Sequence, residues 1–257
     1  MRLLPLLVFT LTSGIAQNVT APEKATEVPP RSLRLLPLGE TPPYRHEVSD
    51  GVSRELEPDP NNIPPRQVRL GDDPTSKPLR LNLGIATEPV KIPGGTAPVI
   101  LRESKAPVDP ALKPWLTLHP PAAGDVLAVI WRDPKTPWKQ PRAIIFPDTA
   151  AALPAGSIRI VNLLAVEVVL IFGSDRVLLA PGKALVKAIA IGTDHPVQIA
   201  FKINAGQYHG FYSGSVLLNP NERAQIFIHR ADGEKPRQAA KVVTFNEAAP
   251  PPPRPQP

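Results

Sequence analysis

Val197-Gln198-Ile199-Ala200-Phe201-Lys202-Ile203 is the stretch on which the fold reading turns. Side chains of a strand alternate between two faces, so Val197, Ile199, Phe201 and Ile203 share one face while Gln198 and Lys202 share the other. The segment therefore predicts a half-buried strand with Phe201 turned inward. Similar runs lie on both sides of it, at Ser157–Leu163, Val166–Phe172, Arg176–Leu179, Ala184–Ile191, Phe211–Leu218, Ala224–His229 and Lys241–Phe245. Turn signals separate them: Gly173-Ser174-Asp175, Pro181-Gly182, Asn219-Pro220-Asn221-Glu222 and Asp232-Gly233. Short strands at regular intervals with turns between them predict an all-β domain, an antiparallel β-sandwich of immunoglobulin-like or jelly-roll-like kind. Its clearest part is residues 157–245. No internal repeat stands out.

Upstream, proline changes the pattern. The chain holds 36 prolines in 257 residues, against a usual share of about 5%. Only Pro181, Pro196, Pro220 and Pro236 fall within residues 158–249. Proline has no backbone donor and opposes helix interiors and central strands alike. Residues 76–157 are mixed: Leu79–Leu83, Val99–Leu101, Asp125–Trp131 and Ala143–Phe146 read as strands between proline-rich loops, so the domain is expected over 76–247. Residues 17–75, punctuated by Pro29-Pro30, Pro42-Pro43, Pro58, Pro60 and Pro64-Pro65, read as an extended, disordered segment, a spacer or partner-binding strand. Residues 248–257, with Pro250–Pro253, read as a polyproline II tail.

At the start, Arg2 precedes the apolar run Leu3, Leu4, Leu6, Leu7, Val8, Phe9 and Leu11, followed by Thr12-Ser13-Gly14-Ile15-Ala16. A basic residue, a short apolar stretch and small residues at Gly14 and Ala16 form the secretory pattern, with cleavage expected after Ala16. The run is too short to span a bilayer, and the apolar stretch Leu163–Phe172 is short and interrupted by Glu167. The predicted location is exported, periplasmic or extracellular, with no integral membrane span.

The formal net charge is +6. Arg159, Arg176, Lys183, Lys187, Lys202, Arg223 and Arg230 are scattered along the strands. That spacing suggests a solvated face rather than the basic stripe of a nucleic-acid binder. The absence of cysteine removes disulfides, thiolate metal sites and cysteine nucleophiles. His46, His119, His195, His209 and His229 have no HxH, HxxxH or HExxH spacing, and no GxSxG, P-loop or GxGxxG motif is present. The reading therefore assigns no catalytic residue, metal site or cofactor.

Two aromatic clusters are candidate ligand sites. In Gln207-Tyr208-His209-Gly210-Phe211-Tyr212 rings are concentrated in a chain with only 5% Phe, Trp and Tyr. On an unbroken strand Tyr208 and Tyr212 share a face and His209 points away, unless a bulge at Gly210 re-aims the chain. Trp115 and Trp138 sit beside Pro114 and Pro137, hence in loops, where they either bind a ligand or seal the end of a sandwich. Trp131 ends a strand and reads as core.

The run Ala155-Gly156-Ser157-Ile158-Arg159-Ile160-Val161-Asn162-Leu163, with Gly173, Asp175-Arg176 and Leu179-Ala180-Pro181-Gly182, resembles the opening of small exported bacterial β-sandwich domains. These include domains of unknown function and the periplasmic protein family associated with alginate O-acetylation. The resemblance implies a fold and carries over no functional residue; those domains lack the proline-rich first half. The resulting expectation is a non-enzymatic binding or assembly module of the cell envelope or cell exterior, with an envelope protein or polysaccharide as partner. The alternatives are an accessory subunit or enzyme of exopolysaccharide modification, and a carbohydrate-binding module.

Overall fold

The computed structural model describes residues 28–251, except 43–44, 57–58, 74, 108, 110, 134–135, 205 and 233–235. The expected signal peptide and the last prolines, 252–257, lie outside the described residues. The described chain is nearly all β. Its first half holds β1 (Arg31–Pro37), β2 (Arg45–Ser49), β3 (Val52–Leu56), β4 (Gln67–Leu70), β5 (Leu79–Arg80), β6 (Val90–Ile92), β7 (Val99–Glu103), β8 (Leu116–Leu118), β9 (Val126–Trp131) and β10 (Arg142–Pro147). Its second half holds β11 (Ser157–Asn162), β12 (Val168–Phe172), β13 (Asp175–Leu179), β14 (Ala184–Ala188), β15 (His195–Asn204), β16 (Gln207–Val216), β17 (Glu222–Arg230) and β18 (Ala240–Ala248).

The two halves repeat one topology. The first contains sheets β10-β9-β1-β6 and β5-β4-β7-β8; the second contains β18-β17-β11-β14 and β13-β12-β15-β16. If the β2–β3 hairpin is set aside, the strands of each half correspond one to one in chain order. In both, the first strand pairs parallel with the penultimate one, β1 with β9 and β11 with β17. Every other pairing is antiparallel. These parallel pairs correct the expectation of a purely antiparallel fold.

Loop hydrogen bonds repeat too. Leu38 N–H donates to Ile130 O at 2.7 Å and Leu163 N–H to Ile228 O at 2.8 Å. Gly84 N–H donates to Pro37 O and Gly182 N–H to Asn162 O, both at 2.8 Å. Both glycines have positive φ, 73° and 70°, a conformation nearly free of cost for glycine alone. In sequence only Ser32-Leu33-Arg34-Leu35-Leu36 and Ser157-Ile158-Arg159-Ile160-Val161 match visibly.

Side-chain parity then sets the layers. On β1, Leu33 and Leu35 join Val68, Leu101 and Leu118 from the facing sheet in one core. On β11 and β17, Ile158, Ile160, Ile226 and Ile228 join Val168, Leu170, Val197 and Ile199 in a second. The opposite faces of β1, β9 and β10 supply Leu36, Leu127, Val129 and Phe146, which meet Val161 and Phe227 in a third. The β1 sheet and the β11 sheet thus pack back to back, each covered on both sides. All six residues of β11 are buried, as are the five residues Val126–Ile130 of β9.

The joint uses matching positions. The strand registers equate Leu36 with Val161, Val129 with Phe227 and Phe146 with Phe245. The same face of each half therefore meets the other, as in an isologous dimer.

Several expectations need correction. Residues 17–27 of the expected extended segment lie outside the described residues, and from 28 to 75 it is not one extended segment: β1 is the inner strand of a sheet, with Leu35 and Leu36 fully buried. Its flanking prolines stand at or beyond the strand ends, where no ladder donor is lost. The strands of 76–147 complete the first half and belong with β1 rather than with 157–247. The expected tail also starts later, because β18 runs to Ala248 and Ala249 N–H donates to Asn221 O.

In the alternating strand, Val197 and Ile199 are buried, but Phe201 is half-buried and Ile203 is 59% exposed. The strand overruns the core at that end. Phe201 is held by stacking on Phe211, with centroids 4.3 Å apart. Phe201→Ala is accordingly expected to cost about 1–3 kcal/mol, short of the ~3–5 kcal/mol of a fully enclosed Phe. Lys202→Ala should change stability by less than about 0.5 kcal/mol. Urea unfolding of both variants checks this; equal losses would mean that the two faces are buried alike.

Candidate functional site

The ring cluster does not form the expected pair. Tyr208 lies opposite Lys202, whereas Tyr212 lies opposite Ile199, with a register shift between Ile199 and Ala200. The extra residue is Phe211, so β16 carries a bulge between the two tyrosines and they face opposite ways. Tyr212 packs against the core. Tyr208 is exposed, with the Arg176 guanidinium 5.9 Å from its ring centre. His209, opposite Phe201, is exposed.

The loop tryptophans are buried: Trp138 is 1% exposed and Trp115 8%. Trp115 Nε1 donates to Trp138 O at 2.7 Å, and Trp138 N–H donates to Asn61 O at 3.0 Å. Trp131 is half-buried against the joint. Both loop tryptophans thus close the end of the first half. Trp138 also borders an open groove of about 760 Å³, which reaches Pro64, Arg66, Arg80, Ser104 and Lys105.

The densest charge cluster was not legible as one. Arg159 and Arg223, expected on a solvated face, are 3% and 2% exposed. Arg34 Nε donates to Asp148 Oδ2 at 2.7 Å, and its Nη1 and Nη2 donate to Glu247 at 2.5 and 3.0 Å. Arg223 Nη2 donates to Asp148 Oδ1 at 2.6 Å and its Nε to Glu247 Oε1 at 3.0 Å. Gln225 Nε2 donates to Glu247 Oε1 at 2.7 Å. Arg159 has no carboxylate partner among the described residues and donates to Pro147 O and Gln225 Oε1.

This lattice pins β1 of the first half to β17 and β18 of the second. Register equates Asp148 with Glu247 and Arg34 with Arg159, so it too is built from matching positions. At the other end of the joint, Lys241 pairs with Glu40 at 3.1 Å and Arg132 with Asp232 at 3.3 Å. Glu40 and Asp232 accept each other's backbone N–H groups.

These environments shift titrations. Burial lowers Arg159 to about 10. Burial would raise Glu247, but the hydrogen bond and charge of Arg34, the charge of Arg223 and the bond from Gln225 outweigh it and hold the carboxyl below its ordinary 4.5. Burial lowers His229 below 6.5 against the opposing pull of its bond to Arg230 O and of Asp232 and Glu40. Both folded-state values lie below the unfolded ones, so both contributions are complete above the unfolded values and are lost as pH falls. Unfolding free energy should therefore start to fall below about pH 6.5, through His229, and fall again below about 4.5, through Glu247. His229→Gln should remove the upper limb in denaturant titrations at stepped pH. A limb that survives the substitution would assign it elsewhere.

The histidines do not converge. His46, His119, His195 and His209 are distributed over separate strands and loops, and among the described residues no group of three or more His, Cys, Asp or Glu could hold a metal ion. No helix among them is long and apolar enough to cross a membrane. Comparison with protein-family models gives no match, and comparison with curated proteins gives no significant relative.

Proposed function

We propose that the chain is an exported, non-enzymatic binding or assembly module of the cell envelope or cell exterior, built from two β-sandwiches of immunoglobulin-like or jelly-roll-like kind joined back to back. The observation that carries this reading is where the shifted ionisable groups lie. Perturbed titrations usually mark a reactive cleft. Here Arg34, Arg159 and Glu247 sit in the joint, bonded to one another or to backbone and amide oxygens, and His229 sits on the same face of β17. The remaining shifts, at Asp73, Asp175 and Glu222, come from exposed turn and surface hydrogen bonds. Ionisable chemistry thus holds a rigid scaffold together, and the open groove is left for contact with a partner.

The test is fractionation of native cells together with co-sedimentation of the purified chain with envelope polysaccharide. The expected result is a mature protein beginning at Gln17 in the periplasm or medium, binding polymer without altering it. Retention of Met1 in the cytoplasm, or release of cleaved or deacylated sugar, would overturn the reading.

A further inference from the structure

The groove beside Trp138 is shaped by what the first half has and the second lacks. The β2–β3 hairpin and the segment after it are inserted between β1 and β4; in the second half Asn162 and Val168 are separated by a short turn. Ile63, Pro64 and Pro65 of this insertion form one wall. Strand pairing builds the floor: Gln67 lies opposite Arg80, and Ser104 N–H donates to Gln67 O at 3.1 Å. Lys105 and the Trp138–Lys139 loop close the far side.

The charge of this groove calls for a ligand. Arg66, Arg80, Lys105 and Lys139 face a single acid, Glu103, and none of the four has a carboxylate partner among the described residues. Elsewhere Arg34, Arg102, Arg132, Arg142 and Arg223 pair with carboxylates, and the buried Arg31, Arg69 and Arg159 donate to backbone or amide oxygens.

We propose that this groove binds an acidic polysaccharide, with its carboxylates on Arg66, Arg80, Lys105 and Lys139. The cations span roughly 10 Å across neighbouring strands, more than one carboxylate covers. Ile63, Pro64 and Pro65 present C–H surface to the apolar face of a sugar ring. A nucleic acid fits less well, since the buried Trp138 offers no open ring face for base stacking. The proposal rests on the reading of the chain as a binding module and names the ligand class.

The experiment titrates the full chain with hexagalacturonate, with maltohexaose and a single-stranded oligonucleotide as comparators, by calorimetry and by NMR of the three tryptophan indole N–H signals. The expected result is binding of hexagalacturonate that weakens with salt and moves the Trp138 indole signal. Arg80→Ala combined with Lys105→Ala should weaken it at least tenfold, whereas Lys183→Ala, on the second half, should leave it unchanged. Circular dichroism confirms that the variants are folded. Equal binding of maltohexaose, tighter binding of the oligonucleotide, absence of hexagalacturonate binding or an unmoved Trp138 signal would each overturn the proposal. If envelope polymer still co-sediments in those cases, the module reading stands and only this groove is lost.

Discussion

Asp148→Ala is expected to lower the unfolding free energy by about 3–5 kcal/mol, the range for removing one partner of a buried ion pair. Asp148 is 6% exposed and accepts from Arg34 and Arg223 at once. Without it, Glu247 would be the one nearby carboxylate left to Arg34, Arg159 and Arg223 among the described residues. Like charges held out of water cannot be screened by salt as surface charges are, so the loss should persist at high ionic strength. The reference is Arg142→Ala, which breaks a 3.5 Å pair whose members are 62% and 52% exposed. That change should cost less than about 1 kcal/mol. Guanidinium or urea midpoints at two salt concentrations decide the matter. A small loss at Asp148, or one that salt abolishes, would mean that water reaches the lattice.

The same lattice explains what the sequence concealed. Alternation reveals a strand when one face is wet, and it worked where that holds: Gln198 and Lys202 point outward and Val197 and Ile199 inward. It fails for a strand covered on both faces. In Ser32-Leu33-Arg34-Leu35-Leu36 the alternation breaks at once, because Leu36 follows Leu35, so with prolines on either side the segment read as irregular, although it is the inner strand of a sheet. Arg159 and Arg223 read as solvated because a lone Arg in a strand usually is; their burial depends on Asp148 and Glu247, which no local pattern brings near. One signal was present: an Arg at the same place in two similar strands, Ser32–Leu36 and Ser157–Val161, which the back-to-back packing makes intelligible.

The candidate site was legible only in part. Trp138 was singled out, but as a loop residue that either binds a ligand or seals the end of a sandwich. Its role at the groove depends on strand pairing of Gln67 with Arg80 and of Val68 with Glu103, and on an insertion that read as a linker. The tyrosine pair failed for a different reason. A bulge changes parity without changing sequence spacing, and glycines on both sides mark where one can occur without fixing where it does.

Phe227→Ala should cost about 3–5 kcal/mol and should also change the form of the transition. Phe227 is fully buried in the joint, stacked on Phe245 at 6.0 Å and tilted against Phe146 at 6.4 Å. Register places it at the position that Val129 occupies in the first half, so the larger ring fills the space between the two matching faces. Its removal leaves a void between layers that are otherwise complete, each with its own core. The halves should then unfold separately, and a transition that is single in the parent chain should split or broaden in calorimetry. Ile226→Ala is the comparison. Ile226 is the adjacent residue and equally buried, but it faces the core of the second half. It should cost about 2–5 kcal/mol through that half's core without opening the joint, so its transition should stay sharper than that of Phe227→Ala. If the two variants broaden alike, the halves are not coupled through Phe227, and the apolar centre of the joint matters less than the charged lattice at its rim.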